Sequence, residues 1–220
     1  MAAMRYKQYP SNLVGRDFVV GDIHGCRSVL ERLLKKATFD PKVDRLFSVG
    51  DILDRGPESK ECLDLLKESW CFLVQGNHER MFCNAVAKDT TWMTLEDYWN
   101  SKNGGMWTRK WFEEAAPELE YWSKHLEALP YVIAVTGPKP FWVVHAELWS
   151  YKCNVNEHNL ATIVEDASDE ELRIFQWSRM LERHKTIGRR TSLPGPIYCG
   201  HTPTPPPATN KPGPVSSTHQ

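Results

Sequence analysis

Short apolar runs alternate with longer amphipathic stretches along this chain. Five runs stand out: DFVV before Gly21, RLFSV before Gly50, CFLV before Gln75 and Gly76, PFWVVH ending at His145, and PIYC before Gly200. Each is short, rich in Val, Phe, Tyr or Ile, and closed by glycine or a polar group, the pattern of a buried strand. Between the first two runs, RSVLERLLKKATF puts Val29, Leu30, Leu33 and Leu34 on one helical face. Between the second and third, SKECLDLLKESW does the same with Cys62, Leu65 and Leu66. Strand, helix, strand, helix, strand predicts right-handed crossovers and a largely parallel sheet, hence an α/β fold. Residues 84 to about 130 read as a helical insert broken at Asn103-Gly104-Gly105 and carrying Trp99, Trp107, Trp111 and Trp122. Packing of a small lobe is the plainer role for these aromatics, lining of a substrate groove the sharper one. SDEELRIFQWSRMLERH predicts a further helix. From Thr202 proline, serine and threonine dominate, which predicts a domain over residues 1–201 and a disordered tail over 202–220.

Composition narrows the class. With 220 residues, 41% hydrophobic and 25% charged, the chain can bury a proper core as one soluble domain. A formal net charge of -1 gives no general attraction to nucleic acid or anionic membranes. No apolar run reaches the roughly 20 residues of a membrane helix, and the N-terminal stretch lacks the apolar segment of a secretory signal. The six cysteines form no C-x-x-C pair, so reduced, mostly buried thiols and a cytoplasmic location are expected. Cys153 is the one the pattern does not place.

The chemistry lies where the runs stop. Their ends read GDIHG (Asp22, His24), GDILDRG (Asp51, Asp54, Arg55), GNHER (Asn77, His78), HAE (His145) and GHT (His201). Taken alone, each has a bland reading: a histidine after a strand is usually just hydrogen-bonded, and an aspartate there often caps a helix or turn. Together, five ends delivering carboxylate, amide and imidazole to one crevice call for a cation, because unneutralised carboxylates would repel. Oxygen and imidazole donors without cysteine suit Mn²⁺ or Fe, less well Zn²⁺, and argue against a thiolate-bound structural zinc. Two metals sharing Asp51 would fit this number of ligands, with Asp22 and His24 on one and Asn77, His145 and His201 on the other.

In these motifs the chain resembles the metallophosphoesterases, and within them the phosphoprotein phosphatases of the short bacterial and bacteriophage lambda type. The pattern GD-x-H-G, GD-x-x-D-R-G, G-N-H-E, H-A and G-H-T runs from Gly21 to Thr202. The resemblance implies a calcineurin-like βαβαβ sandwich with a dinuclear site at the strand ends and a helical insert. It implies metal ligation by Asp22, His24, Asp51, Asn77, His145 and His201, with Asp51 bridging. It makes His78 the general acid oriented by Asp54, Arg55 a phosphate clamp, and Arg179, in QWSRM, a second clamp. The substrate would be a phosphoprotein or phosphopeptide, attacked in line by a water activated between the two metals. No cysteine or serine stands as an activated nucleophile, so no phosphoenzyme is expected.

Val74-Gln75 replaces the Leu-Arg that eukaryotic members carry before G-N-H-E. The family also continues past G-H-T with further strands, where this chain turns proline-rich. The C-terminus is therefore truncated or divergent, or the sheet edge is covered in another way, and His201 is expected to be the least firmly held ligand. The nearest competing function is the symmetrical hydrolase of dinucleoside tetraphosphates. Its second motif has Ala-Arg-Gly where Asp54-Arg55-Gly56 stands here, and its third ends in Asp rather than Glu79. A metal-bound but non-catalytic phosphoprotein-binding module is the alternative of another class, and the presence of His78, Asp54 and Arg55 argues against it.

Overall fold

The computed structural model describes residues 4–91, 93–148, 150, 153–179 and 191–203, and the backbone of 218–219. The chain runs through β1 (Tyr6–Pro10) and β2 (Asp17–Val20), then crosses by α1 (Arg27–Lys36) to β3 (Arg45–Ser48). A second crossover, α2 (Ser59–Leu63) with a 3-10 turn over Asp64–Lys67, leads to β4 (Cys71–Leu73). A lobe follows, of α3 (Asn77–Ala87), α4 (Leu95–Trp99), a 3-10 turn at Gly105–Thr108, α5 (Arg109–Glu113) and α6 (Glu118–Glu127). Beyond it come β5 (Val132–Thr136), β6 (Phe141–Val144), β7 (Val155–Asn156), α7 (Leu160–Glu165) and α8 (Asp169–Trp177). Three short strands, β8 (Thr191–Ser192), β9 (Ile197–Tyr198) and β10 (Thr218–His219), complete the described elements.

All five runs read as strands are strands, but they divide between two sheets. β2, β3 and β4 form a three-stranded parallel sheet. The other has the order β1-β5-β6-β9-β10, with β1–β5 and β6–β9 parallel and β5–β6 and β9–β10 antiparallel. Strand alternation explains how they pack. Val19, Phe47 and Phe72 lie in register across the first sheet, and Ile133, Val143 and Tyr198 across the second. These rows, with Val49, Val74, Val135, Phe141 and Tyr9, form one apolar seam between the sheets. The alternate residues face outward into helices. Leu46, Cys71 and Leu73 pack with the α3–α6 lobe, while Val132, Ala134, Trp142 and Val144 pack with α7 and α8. The architecture is a sandwich of two sheets with helices on both outer faces.

The expected stripe on α1 is only partly realised: Leu30 is buried and Leu34 half-buried, but Val29 is 41% and Leu33 53% exposed. β2 is an edge strand, so α1 has a narrow strip of sheet beneath it. β1 and β5 were not anticipated. β1 is an edge strand too, and its partly exposed residues leave a weak apolar signal. All six cysteines are free thiols; Cys62, Cys71 and Cys83 are buried, Cys26 and Cys199 half-buried, and Cys153 exposed. Residues 204–217 of the proline-rich stretch lie outside the described residues, whereas Thr218 and His219 pair with Tyr198 and Ile197. Among the described residues no helix is long and apolar enough to cross a membrane.

Candidate metal centre

β2, β3 and β4 of one sheet and β6 and β9 of the other end at the same edge of the sandwich, and each delivers its polar group there. Asp51 is central. Two clusters share it, His24–Asp51–His78 and Asp51–His145–His201, and within each the ligand-type atoms lie within 4.8 Å of one another. Asp51 Oδ2 is 3.7 Å from His24 Nε2, 3.4 Å from His145 Nε2 and 3.9 Å from His78 Nε2. Asn77 Oδ1 lies 2.8 Å from both His145 Nε2 and His201 Nδ1. Asp22 stands beside them, its two carboxylate oxygens taking the His201 backbone N–H at 3.2 and 3.0 Å.

The local backbone is bent to allow this convergence. His24, Asp51, Asp54, Arg55 and His201 have φ of 44, 50, 69, 66 and 64°. Left-handed non-glycine residues are uncommon, cost roughly 1–3 kcal/mol each and gather at functional sites. Gly200 permits the closest approach, because a Cβ there would sit 2.0 Å from Asp22 Oδ1.

Two histidines are held in a form suited to ligation. The ring Nδ1 of His24 meets the Leu53 carbonyl at 2.9 Å, and that of His145 meets the Val49 carbonyl at 2.7 Å. With Nδ1–H donating, each Nε2 lone pair faces Asp51, the outer-sphere arrangement that orients metal-binding imidazoles. Arg55 Nη1 lies 2.5 Å from His24 Nε2 and competes for that lone pair. Arg179, exposed at the rim, donates from Nε to His201 Nε2 at 3.3 Å.

Burial governs the electrostatics. It pushes the His78 and His201 rings down to about 3, helped at His78 by the charges of Arg55 and His145, and at His201 by His145 and Arg179. His24 and His145 are lowered by the same desolvation. Asp51 is raised well above the usual carboxylate range by burial, then by the charges of Glu79 and Asp22. With His24 and His145 turning neutral lone pairs inward, beside an Asp51 carboxyl that resists ionising alone, the site is short of positive charge. Oxygen and nitrogen donors without a thiolate therefore fit a pair of hard or borderline divalent cations. His24, Asp51, His78, His145 and His201 lie close enough to one another to offer ligand atoms, with Asp22 and Asn77 against them.

The pair expected for acid–base work is also assembled. His78 Nδ1 meets Asp54 Oδ2 at 2.8 Å, both side chains being buried. Burial lifts Asp54 to about 7, against the opposing hydrogen bonds of Trp107 and Tyr98. Three neighbours escaped the sequence reading. Glu79 accepts the backbone N–H groups of Asp51, Ile52 and Gly76 at 2.8, 2.9 and 2.8 Å, fastening the β3 and β4 ends together. Its place three residues past Gly76, with Asn77 opening a helix, gives the Glu half of a capping-box signal, its carboxylate taking the N-cap N–H, while Gly76 has no side chain to supply the other half. Tyr98 and Trp107, which bind Asp54, carry no such signal. Alongside lies a groove of about 580 Å³ lined by Met81, Met93, Asp97, Asn103, Arg173 and Trp177 among others.

The chain is similar to known proteins. The family model for calcineurin-like phosphoesterases matches residues 18–216. Serine/threonine-protein phosphatase 1 of Salmonella typhimurium is 34% identical over 197 residues, covering 84% of this chain and 78% of its own. A symmetrical bis(5'-nucleosyl)-tetraphosphatase of Thioalkalivibrio sulfidiphilus is 44% identical over 64 residues, only 28% of this chain and 24% of its own. Among solved structures, a protein serine/threonine phosphatase from Saccharomyces cerevisiae superposes with a TM-score of 0.52 at 18% identity, covering 88% of this chain and 65% of that one. That likeness concerns the fold alone. With the family model spanning nearly the whole sandwich and its strand-end cluster, the chain belongs to the calcineurin-like phosphoesterases.

Proposed function

We propose that this chain is a metal-dependent phosphomonoesterase acting on phosphoserine and phosphothreonine in proteins. The observation that carries the proposal is the convergence of five strand ends on Asp51, with the His78–Asp54 pair and two arginines at its margin. In this reading Asp22, His24 and Asp51 hold one cation, and Asp51, Asn77, His145 and His201 the other, with Mn²⁺ preferred over Fe or Zn²⁺. Bound there, the cations would supply Lewis acidity, neutralising phosphoryl oxygens and acidifying a water.

The chain's own residues do the remaining work. Arg55 and Arg179 grip phosphoryl oxygens, which planar guanidinium groups do bidentately. His78, its Nδ1 engaged by Asp54, presents Nε2 to the leaving oxygen and gives it a proton. Burial disfavours a charged His78, and an arriving phosphate dianion offsets this by favouring the protonated ring. The groove beside Trp177 has room for residues flanking the phosphorylated one. The six free thiols fit a cytoplasmic setting.

The short match to a tetraphosphatase keeps the dinucleoside polyphosphate reading as the alternative, yet Asp54 bonded to His78 favours monoesters. Purified protein loaded with Mn²⁺ should hydrolyse phosphoserine peptides and p-nitrophenyl phosphate faster than diadenosine tetraphosphate. Elemental analysis should find two ions per chain. Preference for the dinucleotide, or a folded sample that takes up no metal, would overturn the proposal.

A further inference from the structure

Asp54 is fully buried, yet its carboxylate takes three side-chain hydrogen bonds. His78 Nδ1 meets Oδ2 at 2.8 Å, while the Tyr98 hydroxyl and the Trp107 indole N–H both donate to Oδ1, at 3.0 and 2.7 Å. Tyr98 lies in α4 and Trp107 in the 3-10 turn that follows, so both come from the helical lobe rather than the sandwich. The same segment touches the next residue as well. Lys102 O accepts from Arg55 Nε at 3.4 Å, and a Cβ on Gly104 would lie 2.5 Å from the Arg55 backbone nitrogen. The lobe therefore rests directly on the left-handed Asp54–Arg55 turn.

Packing alone does not require these donors. A phenylalanine would fill the space of the Tyr98 ring without the hydroxyl, and the Trp107 indole N–H can only donate. Two donors on Oδ1 keep that oxygen an acceptor and prevent the carboxyl group from rotating. Oδ2 is then left to His78, whose ring is fixed with Nδ1 toward Asp54 and Nε2 toward Asp51. We infer that Tyr98 and Trp107 are positioning residues for the proposed acid, holding Asp54 so that His78 presents Nε2 to the leaving group. The inference rests on the phosphomonoesterase reading. It assigns part of the chemistry to a lobe that would otherwise be a groove wall.

Tyr98→Phe and Trp107→Phe test it, with Trp99→Phe as the control. Trp99 belongs to the same lobe and gives its indole N–H to Thr108 Oγ1 at 3.1 Å, away from Asp54. Phe at 107 keeps an aromatic ring against Phe82, on which Trp107 now stacks at 6.1 Å. A positioned acid contributes about 10²–10⁴-fold on a poor leaving group. Turnover of a phosphoserine peptide should therefore fall about tenfold in Y98F and W107F, and that of p-nitrophenyl phosphate by less than about twofold. Metal content should stay unchanged, and W99F should match wild type on both substrates. The downfield NMR resonance of the His78 Nδ1 proton, assigned by its loss in H78N, should move in Y98F and W107F but not in W99F.

An H78N loss equal on both substrates would overturn the acid assignment itself. If H78N loses mainly the peptide reaction while Y98F and W107F behave like W99F, only the positioning inference falls. A His78 resonance unmoved by both substitutions overturns it as well.

Discussion

Asp51 shows how much one residue carries. Its Oδ1 accepts the His78 backbone N–H at 2.9 Å, its Oδ2 faces three imidazoles, and its backbone is left-handed. Asp51→Asn should weaken both metals together, seen as parallel loss of two ions in elemental analysis after dialysis; one site left at full occupancy would argue against bridging. Glu79 serves the same point from behind, with three backbone donors on one buried carboxylate whose affinity for protons burial raises to about 7. Glu79→Ala leaves those N–H groups without an acceptor and should cost about 3 kcal/mol in urea unfolding, since an unsatisfied buried donor costs about 1–3 kcal/mol. A change below about 0.5 kcal/mol would show that water replaces the carboxylate.

Individual elements make their own demands. The segments entering β2 and β3 are tied by Asp44, which accepts from the Arg16 backbone and guanidinium and from the Asp40 N–H. The Arg16 hydrogen bonds and the Asp40 N–H hold this carboxylate well below its ordinary range. A depressed folded value means the unfolded chain binds the proton first as pH falls. The stabilisation is thus complete above about pH 4 and lost below it. Asp44→Asn should lower the urea midpoint at neutral pH and flatten the acid limb below about pH 4; an unchanged limb would place the acid sensitivity elsewhere. The elements legible in the sequence are those whose burial imposes a pattern. DFVV, RLFSV, CFLV and PFWVVH are covered on both faces or at the seam, and their apolar runs show it. β1 packs on the core mainly through Tyr6 and Tyr9 and leaves its other positions polar or partly exposed, so its YKQYP left little trace. The ligand-type residues could be read because a strand end brings its polar group to one edge whatever the loops do. The service of Tyr98 and Trp107 to Asp54 could not, because it depends on how the lobe folds back over a turn 44 to 53 residues earlier.

For the molecule as a whole, the two sheets and the metal site are one stability problem. His24, Asp51 and Asn77 follow strands of one sheet, and His145 and His201 follow strands of the other. Chelation should leave the sandwich folded but lower its Tm, and Mn²⁺ should restore it, because an ion that binds only the native state stabilises by about 2.7 kcal/mol at a hundredfold excess over its Kd. An identical Tm in EDTA and in Mn²⁺ would show that these residues hold no ion in solution. The aromatic and branched side chains between the sheets acquire a second significance from this. Phe47, Phe72, Phe141 and Val143 are the shims that set how far apart the two jaws of the site stand. A substitution there, remote from every ligand, would shift one half of the ligand set against the other as well as loosen the core.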